Sequence, residues 1–188
     1  MAGTYELLGV ATASQGATGL SVTSIPQTFD DLEVIFFLQS TANNPADFKI
    51  VLNNSTANWY YTNTFGMKNT AYFYDIGAGG SSGVQVYGGV GNGATGLMAK
   101  SQSFVKMYIA DYTKGGGSSG SLPFWGNTIG NVVATCGGNQ TYNHLTLSGI
   151  NTDDSNLYPV VSVASQQFNN SVTYQANSFM AVYGISRS

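Results

Sequence analysis

The stretch Leu32-Glu-Val-Ile-Phe-Phe-Leu-Gln39 decides the fold class. Side chains alternate between two faces along a β-strand, so this stretch can be read as two rows. The first row is apolar throughout and consists of Leu32, Val34, Phe36 and Leu38. The second row consists of Glu33, Ile35, Phe37 and Gln39. A strand with one face exposed to solvent should carry polar side chains on that face. Ile35 and Phe37 therefore need a cover, either a loop of the same chain or another subunit, and they are our candidate subunit-interface residues.

Similar alternation recurs along the chain, bounded by clusters of Gly, Asn, Ser or Pro. No stretch carries apolar residues at helical spacing over three turns, so we predict no helix. The other predicted strands cover residues 5–10, 20–24, 48–52, 72–76, 84–90, 104–110, 131–136, 142–147, 160–164 and 178–185. Asp30-Asp31, just before the strand that begins at Leu32, is interpreted as a turn. About ten short strands of this kind predict an all-β fold, namely an antiparallel β-sandwich.

The chain is predicted to form a single domain over residues 1–188. Two glycine- and serine-rich segments, 76–83 and 114–121, could be taken for linkers. They are better interpreted as long loops at the ends of a sandwich, because the single strands beside them could not fold alone.

Charge is sparse and evenly spread. Charged residues make up 8% of the 188 residues, where about a quarter is usual, and the net charge is −3. The six Lys and Arg residues form no basic patch, which argues against a nucleic-acid partner. No apolar run approaches the roughly 20 residues of a membrane span. No signal peptide opens the chain, so we expect synthesis in a cytoplasm.

No pattern of catalytic or metal-binding residues emerges, so we predict a protein that is not an enzyme and needs no cofactor. Zinc sites need three or four ligands, and the chain has one histidine, His144, and one cysteine, Cys136. We interpret His144 as a residue on a strand surface and Cys136 as a buried strand thiol. Residues 151–156 offer oxygen ligands for calcium but lack an EF-hand pattern, and a polar turn is the simpler interpretation.

Aromatic residues cluster between positions 59 and 74, interspersed with Asn and Thr. Such rings can be core, can form a subunit interface, or can stack on sugars. The candidates for an interface or for glycan stacking are Trp59, Tyr60, Tyr61 and Trp125.

Several motifs resemble a group of small tailed-phage virion proteins. They are Thr4-Tyr-Glu-Leu-Leu-Gly9, Ser24-Ile-Pro-Gln-Thr-Phe-Asp-Asp-Leu32, Met107-Tyr-Ile-Ala-Asp-Tyr-Thr113 and Asn177-Ser-Phe-Met-Ala-Val-Tyr-Gly-Ile185. They occur in the order expected for the group and lie outside residues 53–100. In the group, a Ser-Ile-Pro turn ends the second strand, an Asp-Leu opens the third, and a Tyr-Gly-Ile ends the last.

The resemblance implies a jelly-roll-like β-sandwich that assembles on a virion, often as a homotrimer, and it implies no catalytic residue. The expected partners are further copies of the chain and other virion proteins such as the major capsid protein. A capsid decoration protein is the first interpretation, and a head fibre or a tail component stays open. The alternative is a tail or fibre module that binds a receptor or a host surface glycan.

Overall fold

Twelve β-strands make up the regular structure of the described residues, and no helix occurs among them. The computed structural model describes residues 3–39, 41, 46–54, 59–65, 73–77, 84–90, 103–113, 122–130, 143–151, 159–167 and 173–187. The strands are β1 (Tyr5–Thr12), β2 (Gly19–Thr23), β3 (Asp31–Leu38), β4 (Ala46–Leu52), β5 (Trp59–Phe65), β6 (Phe73–Gly77), β7 (Val84–Val90), β8 (Ser103–Ile109), β9 (Leu122–Gly130), β10 (Asn143–Asn151), β11 (Ser162–Gln167) and β12 (Phe179–Ile185).

The strands form two antiparallel sheets. The larger sheet has the order β1-β12-β3-β8-β9-β10-β5-β6, and the smaller sheet has the order β2-β11-β4-β7. The described side chains belong to β1, β12, β3 and β8 of the larger sheet and to β2, β11 and β4 of the smaller one. The prediction of an all-β, sandwich-like fold is therefore confirmed.

The core lies between the sheets. The first row of β3 is fully buried, as the alternation predicted, and faces apolar residues of the smaller sheet. Phe36 of the larger sheet and Phe48 of the smaller sheet pack with ring centroids 5.3 Å apart and planes tilted by 54°. The other fully buried core residues of these seven strands are Leu32, Val34, Leu38, Ile50, Leu52, Val105, Met107, Ile109, Val163, Met180 and Val182.

The Ser-Ile-Pro segment, residues 24–26, follows β2 directly and leads towards β3. Ser24 adopts a positive φ of 59° directly after β2. The Ile25 amide then donates to the Val161 carbonyl, 3.0 Å away. The hydroxyl of the buried Tyr112 donates to the Pro26 carbonyl. These bonds hold the connection between β2 and β3 against the body of the sandwich.

Two strands were not predicted and one prediction was wrong. β5 and β9 have no simple alternation of apolar and polar residues, so the sequence pattern does not predict them as strands. Asp31, interpreted as part of a turn, is instead the first residue of β3 and is fully buried. The predicted strand at 131–136, with Cys136, lies outside the described residues.

Candidate functional site

The face of the larger sheet that points away from the core is mostly apolar. We call it the outer face and define it by the outward residues of β1, β12, β3 and β8. The strand register arranges them in cross-strand rows. The rows are Thr12–Phe179–Phe37–Phe104, Val10–Ala181–Ile35–Lys106, Leu7–Tyr183–Glu33–Tyr108 and Tyr5–Ile185–Asp31.

The structure places both predicted interface residues on this face. Ile35 and Phe37 are half-buried in the middle of it, although the first row of the same strand is completely buried. Phe37 stacks on Phe179 with ring centroids 5.3 Å apart and an interplanar angle of 24°. Phe104 is opposite Phe37 on the other neighbouring strand. Neighbouring rings therefore bury part of Phe37 and leave the rest accessible.

The edge of the outer face, on β1, is the most exposed apolar part of it. Tyr5 is 52% exposed, Leu7 51% and Val10 53%. The Tyr5 ring stacks on Tyr183 with centroids 4.7 Å apart. Apart from Val161, these three are the exposed large hydrophobic residues among the described side chains, so apolar exposure is concentrated on one strand.

The charges within the outer face neutralise each other. Glu33 is buried, and its Oε1 accepts a hydrogen bond of 2.6 Å from the Tyr5 hydroxyl. Its Oε2 lies 2.5 Å from Nζ of Lys106. Partial burial and the bond to Glu33 raise the pKa of Tyr5 above its ordinary value, so the phenol stays protonated. The face thus presents a neutral surface with a satisfied carboxylate beneath it.

A cluster of charged residues closes one end of the outer face. The fully buried Asp31 accepts hydrogen bonds from the Arg187 guanidinium, with Nε 2.8 Å from Oδ2, and from the Tyr108 hydroxyl. The Asp111 amide lies 2.9 Å from Asp31 Oδ1, and the Asp111 carboxylate accepts from Arg187 at 2.8 Å. The cluster ties the residues after β12 to the start of β3 and the end of β8.

The electrostatics of Asp31 follow from its partners. Burial alone would raise its pKa, but the hydrogen bonds from Arg187, from Tyr108 and from the Asp111 amide outweigh burial and lower the pKa to about 2. Partial burial and the bond to this carboxylate raise the pKa of Tyr108 to about 12. A carboxylate held ionised by so many donors acts as a structural anchor.

The aromatic candidates belong to neighbouring strands of the larger sheet. Trp59, Tyr60 and Tyr61 open β5, opposite residues 149–151 of β10. Trp125 lies in β9, opposite Tyr108 on one side and Ser148 on the other. With β10 between them, β9 and β5 lie about 10 Å apart. The side chains of these candidates and of His144 lie outside the described set.

A shallow groove of about 420 Å³ lies on the smaller sheet. Uncharged residues line it, among them Thr18, Ser21, Asn54 and Gln166. Within the part of the chain that the structure describes, no three His, Cys, Asp or Glu residues come together to hold a metal ion. Within the same residues, no helix has the length and apolarity to cross a membrane.

Sequence reasoning missed both polar clusters. Tyr5 and Glu33 are 28 positions apart, and Asp31 and Arg187 are 156 positions apart. One signal was available: Glu33 interrupts the otherwise apolar strand, and Lys106 occupies an alternating position of another predicted strand. A charge on a half-buried strand face needs an opposite charge on a neighbouring strand.

Comparisons with known proteins do not assign the chain to a family. No protein-family model matches the sequence, and no curated protein matches it significantly. The chain is similar to the crystal structure of a protein of unknown function from Shewanella oneidensis MR-1. The two are 11% identical, the match covers 98% of this chain and 77% of the other, and the TM-score is 0.31. A similarity this weak supports no conclusion about the function of this chain.

Proposed function

We propose that this protein is a phage virion structural protein, a jelly-roll-like sandwich that decorates the capsid surface as a homo-oligomer. The observation that carries the proposal is the outer face: an apolar, charge-neutral sheet surface in a chain with very little charge. Assembly of copies, with one another and on the capsid, would cover such a surface.

The size of the apolar surface supports assembly. Aromatic side chains have on the order of 150–250 Å² of area and Leu and Val have less, so Tyr5, Leu7 and Val10, each about half exposed, leave roughly 200–300 Å² accessible. The half-buried rings of Phe37, Phe179 and their neighbours enlarge the patch. The largest apolar patch on an ordinary monomer is roughly 300–600 Å² and is often functional.

The resemblance to virion proteins supplies the biological setting. Its motifs occupy structurally important positions: Ser24, which has a positive φ directly after β2, the buried Asp31 that opens β3, and the buried Gly184 near the end of β12. These residues serve the fold, so the resemblance bears on architecture and assembly and supplies no chemistry. A structural role needs only the architecture and the surface.

Electron microscopy of purified particles tests the proposal. Antibody raised against the recombinant protein should label particles, and on them it should label the head. Label on the tail tip or fibres would support the receptor-binding alternative over capsid decoration. Particles without label, from cells that make the protein, would contradict a virion role.

The groove on the smaller sheet favours glycan binding as the second candidate function. Its hydroxyl and amide side chains, such as Ser21 and Gln166, can hydrogen-bond a neutral polar ligand. Titration of the protein with host surface glycans would test this function, using Gln166→Ala as the variant. Binding that the variant loses would support it, and absence of binding would remove it.

A further inference from the structure

β1 forms one edge of the larger sheet and leaves apolar side chains exposed there. β1 is the terminal strand of that sheet and pairs with β12 on one side. It is eight residues long, with Tyr5, Leu7 and Val10 exposed. Edge strands are protected from pairing by Lys or Pro, by short length or by a β-bulge. Of these protections β1 has only the bulge, between Leu7 and Gly9. No other described strand pairs with its side away from β12, so the backbone groups before and after the bulge can pair with another strand.

We propose that β1 pairs antiparallel with β1 of a second copy, with Leu7 of each copy opposite Val10 of the other. The contact deepens the proposed function by naming where two copies meet, and it rests on that function only in requiring self-association. Antiparallel pairing of identical strands is two-fold symmetric, which is the commonest symmetry of homo-oligomers.

The sequence of β1 fits itself in this register. A bulge between Leu7 and Gly9 brings Leu7 and Val10 onto the same face of the sheet, so the two can be cross-strand neighbours. The same register sets Tyr5 opposite Thr12 on that face. The two bulges then meet at the two-fold axis, and the strands pair on either side of it as two short ladders.

The positions of the charged residues on and near β1 also favour antiparallel pairing with another copy of the strand. In this register Glu6 is opposite Ala11, and the two Glu6 residues are five positions apart, roughly 17 Å along the strand. That separation exceeds a Debye length of about 8 Å at physiological ionic strength. A parallel pair would instead set Glu6 beside Glu6. The neighbouring Glu33 is already neutralised by Lys106, so the outer face near the edge does not repel its own copy.

Cysteine cross-linking tests the register directly. A mixture of Leu7→Cys and Val10→Cys proteins should form a disulfide-linked dimer under mild oxidation, because the two positions are opposite each other. Leu7→Cys alone should not, because the two Leu7 positions are three residues apart, about 10 Å, and disulfides need Cα atoms within about 7 Å. The wild-type protein serves as the control for background cross-linking through Cys136. Efficient cross-linking of Leu7→Cys with itself, or none in the mixture, would overturn the register.

Sedimentation velocity tests the contact without oxidation. Leu7→Lys should weaken concentration-dependent self-association at least tenfold while leaving the protein folded, because Leu7 is half exposed. Val161→Lys is the matched control, since Val161 is 43% exposed and lies outside β1. If Leu7→Lys associates like the wild type while Phe37→Asp does not, the edge contact is wrong and the proposed function stands. If neither the wild type nor any variant associates, both fail.

Discussion

The Arg187 guanidinium reaches across 156 positions of sequence to the buried carboxylate of Asp31, with Nε 2.8 Å from Oδ2. Arg187 itself is about half exposed, so solvent reaches one partner of the pair and not the other. The main-chain amide of Arg187 also donates to Asp30, 2.6 Å away. The end of the chain is thereby fastened beside the strand that forms the centre of the core.

Replacing Asp31 with Asn should destabilise the protein in a pH-dependent manner. The folded pKa of Asp31 is about 2, below its ordinary value of 3.8. A lowered pKa gives stability that is fully present above pH 3.8 and is lost as the pH falls towards 2. Each unit by which the pKa is lowered corresponds to about 1.4 kcal/mol of stability, so Asp31→Asn should lower the free energy of unfolding by on the order of 2 kcal/mol at pH 7.

Urea unfolding of the wild type and Asp31→Asn between pH 7 and pH 2 measures this effect. The difference in unfolding free energy should stay constant down to about pH 4 and shrink below it. Asp111→Asn is the control, because its carboxylate is exposed and shares Arg187 without being buried. A difference that does not change with pH would show that Asp31 acts through packing and not through its charge.

Gly184→Ala should destabilise the protein through a clash with Phe29. A Cβ added at Gly184 would lie 2.5 Å from the Phe29 ring, closer than packed carbon atoms come. Forcing an extra methyl into a packed site costs roughly 1–3 kcal/mol. Thermal unfolding of Gly184→Ala, Phe29→Ala and the double variant tests the mechanism. The double variant should be more stable than the sum of the single effects predicts, and simple additivity would refute the clash.

Deleting residues 179–188 should abolish soluble folding. β12 lies between β1 and β3, so its removal leaves β1 without its strand partner and β3 paired only with β8. It also removes the core side chains of Met180 and Val182. The deletion also removes the Arg187 anchor. Soluble yield and circular dichroism measure the outcome, with deletion of Ser188 alone as the control. Wild-type melting behaviour in the long deletion would show that the last strand is dispensable.

The sequence predicted the fold where side chains alternate and failed where they do not. The alternation in residues 32–39 predicts one row that faces the core and a second, partly apolar row that faces away from it. The structure places Ile35 and Phe37 on the side of the sheet that faces away from the core. β9, by contrast, contains Pro123 and polar residues without alternation, and its pairing with β8 and β10 determines its structure. Local pattern carries no information about such non-local pairing.

The polar clusters could not be predicted because their members are distant in sequence. Asp31 is interpreted as a turn residue from its neighbours, and only the register of β3, β8 and β12 shows that Tyr108 and Arg187 surround it. Similarly, the exposure of Leu7 and Val10 depends on β1 being an edge strand. Strand order is a property of the assembled sheet, so the β1 edge proposed for self-pairing could be identified only from the structure.

Sedimentation analysis of Phe37→Asp, with a melting curve, tests the role of the outer face most directly. Phe37 is half-buried against Phe179, and a subunit contact over it would bury the new carboxylate without a partner, which is costly. We expect the wild type to sediment as an oligomer and Phe37→Asp to stay folded but dissociate, whereas the control Val161→Asp should assemble normally. An unfolded Phe37→Asp protein would mean that the chain covers this face itself. A folded and fully assembled one would contradict the account.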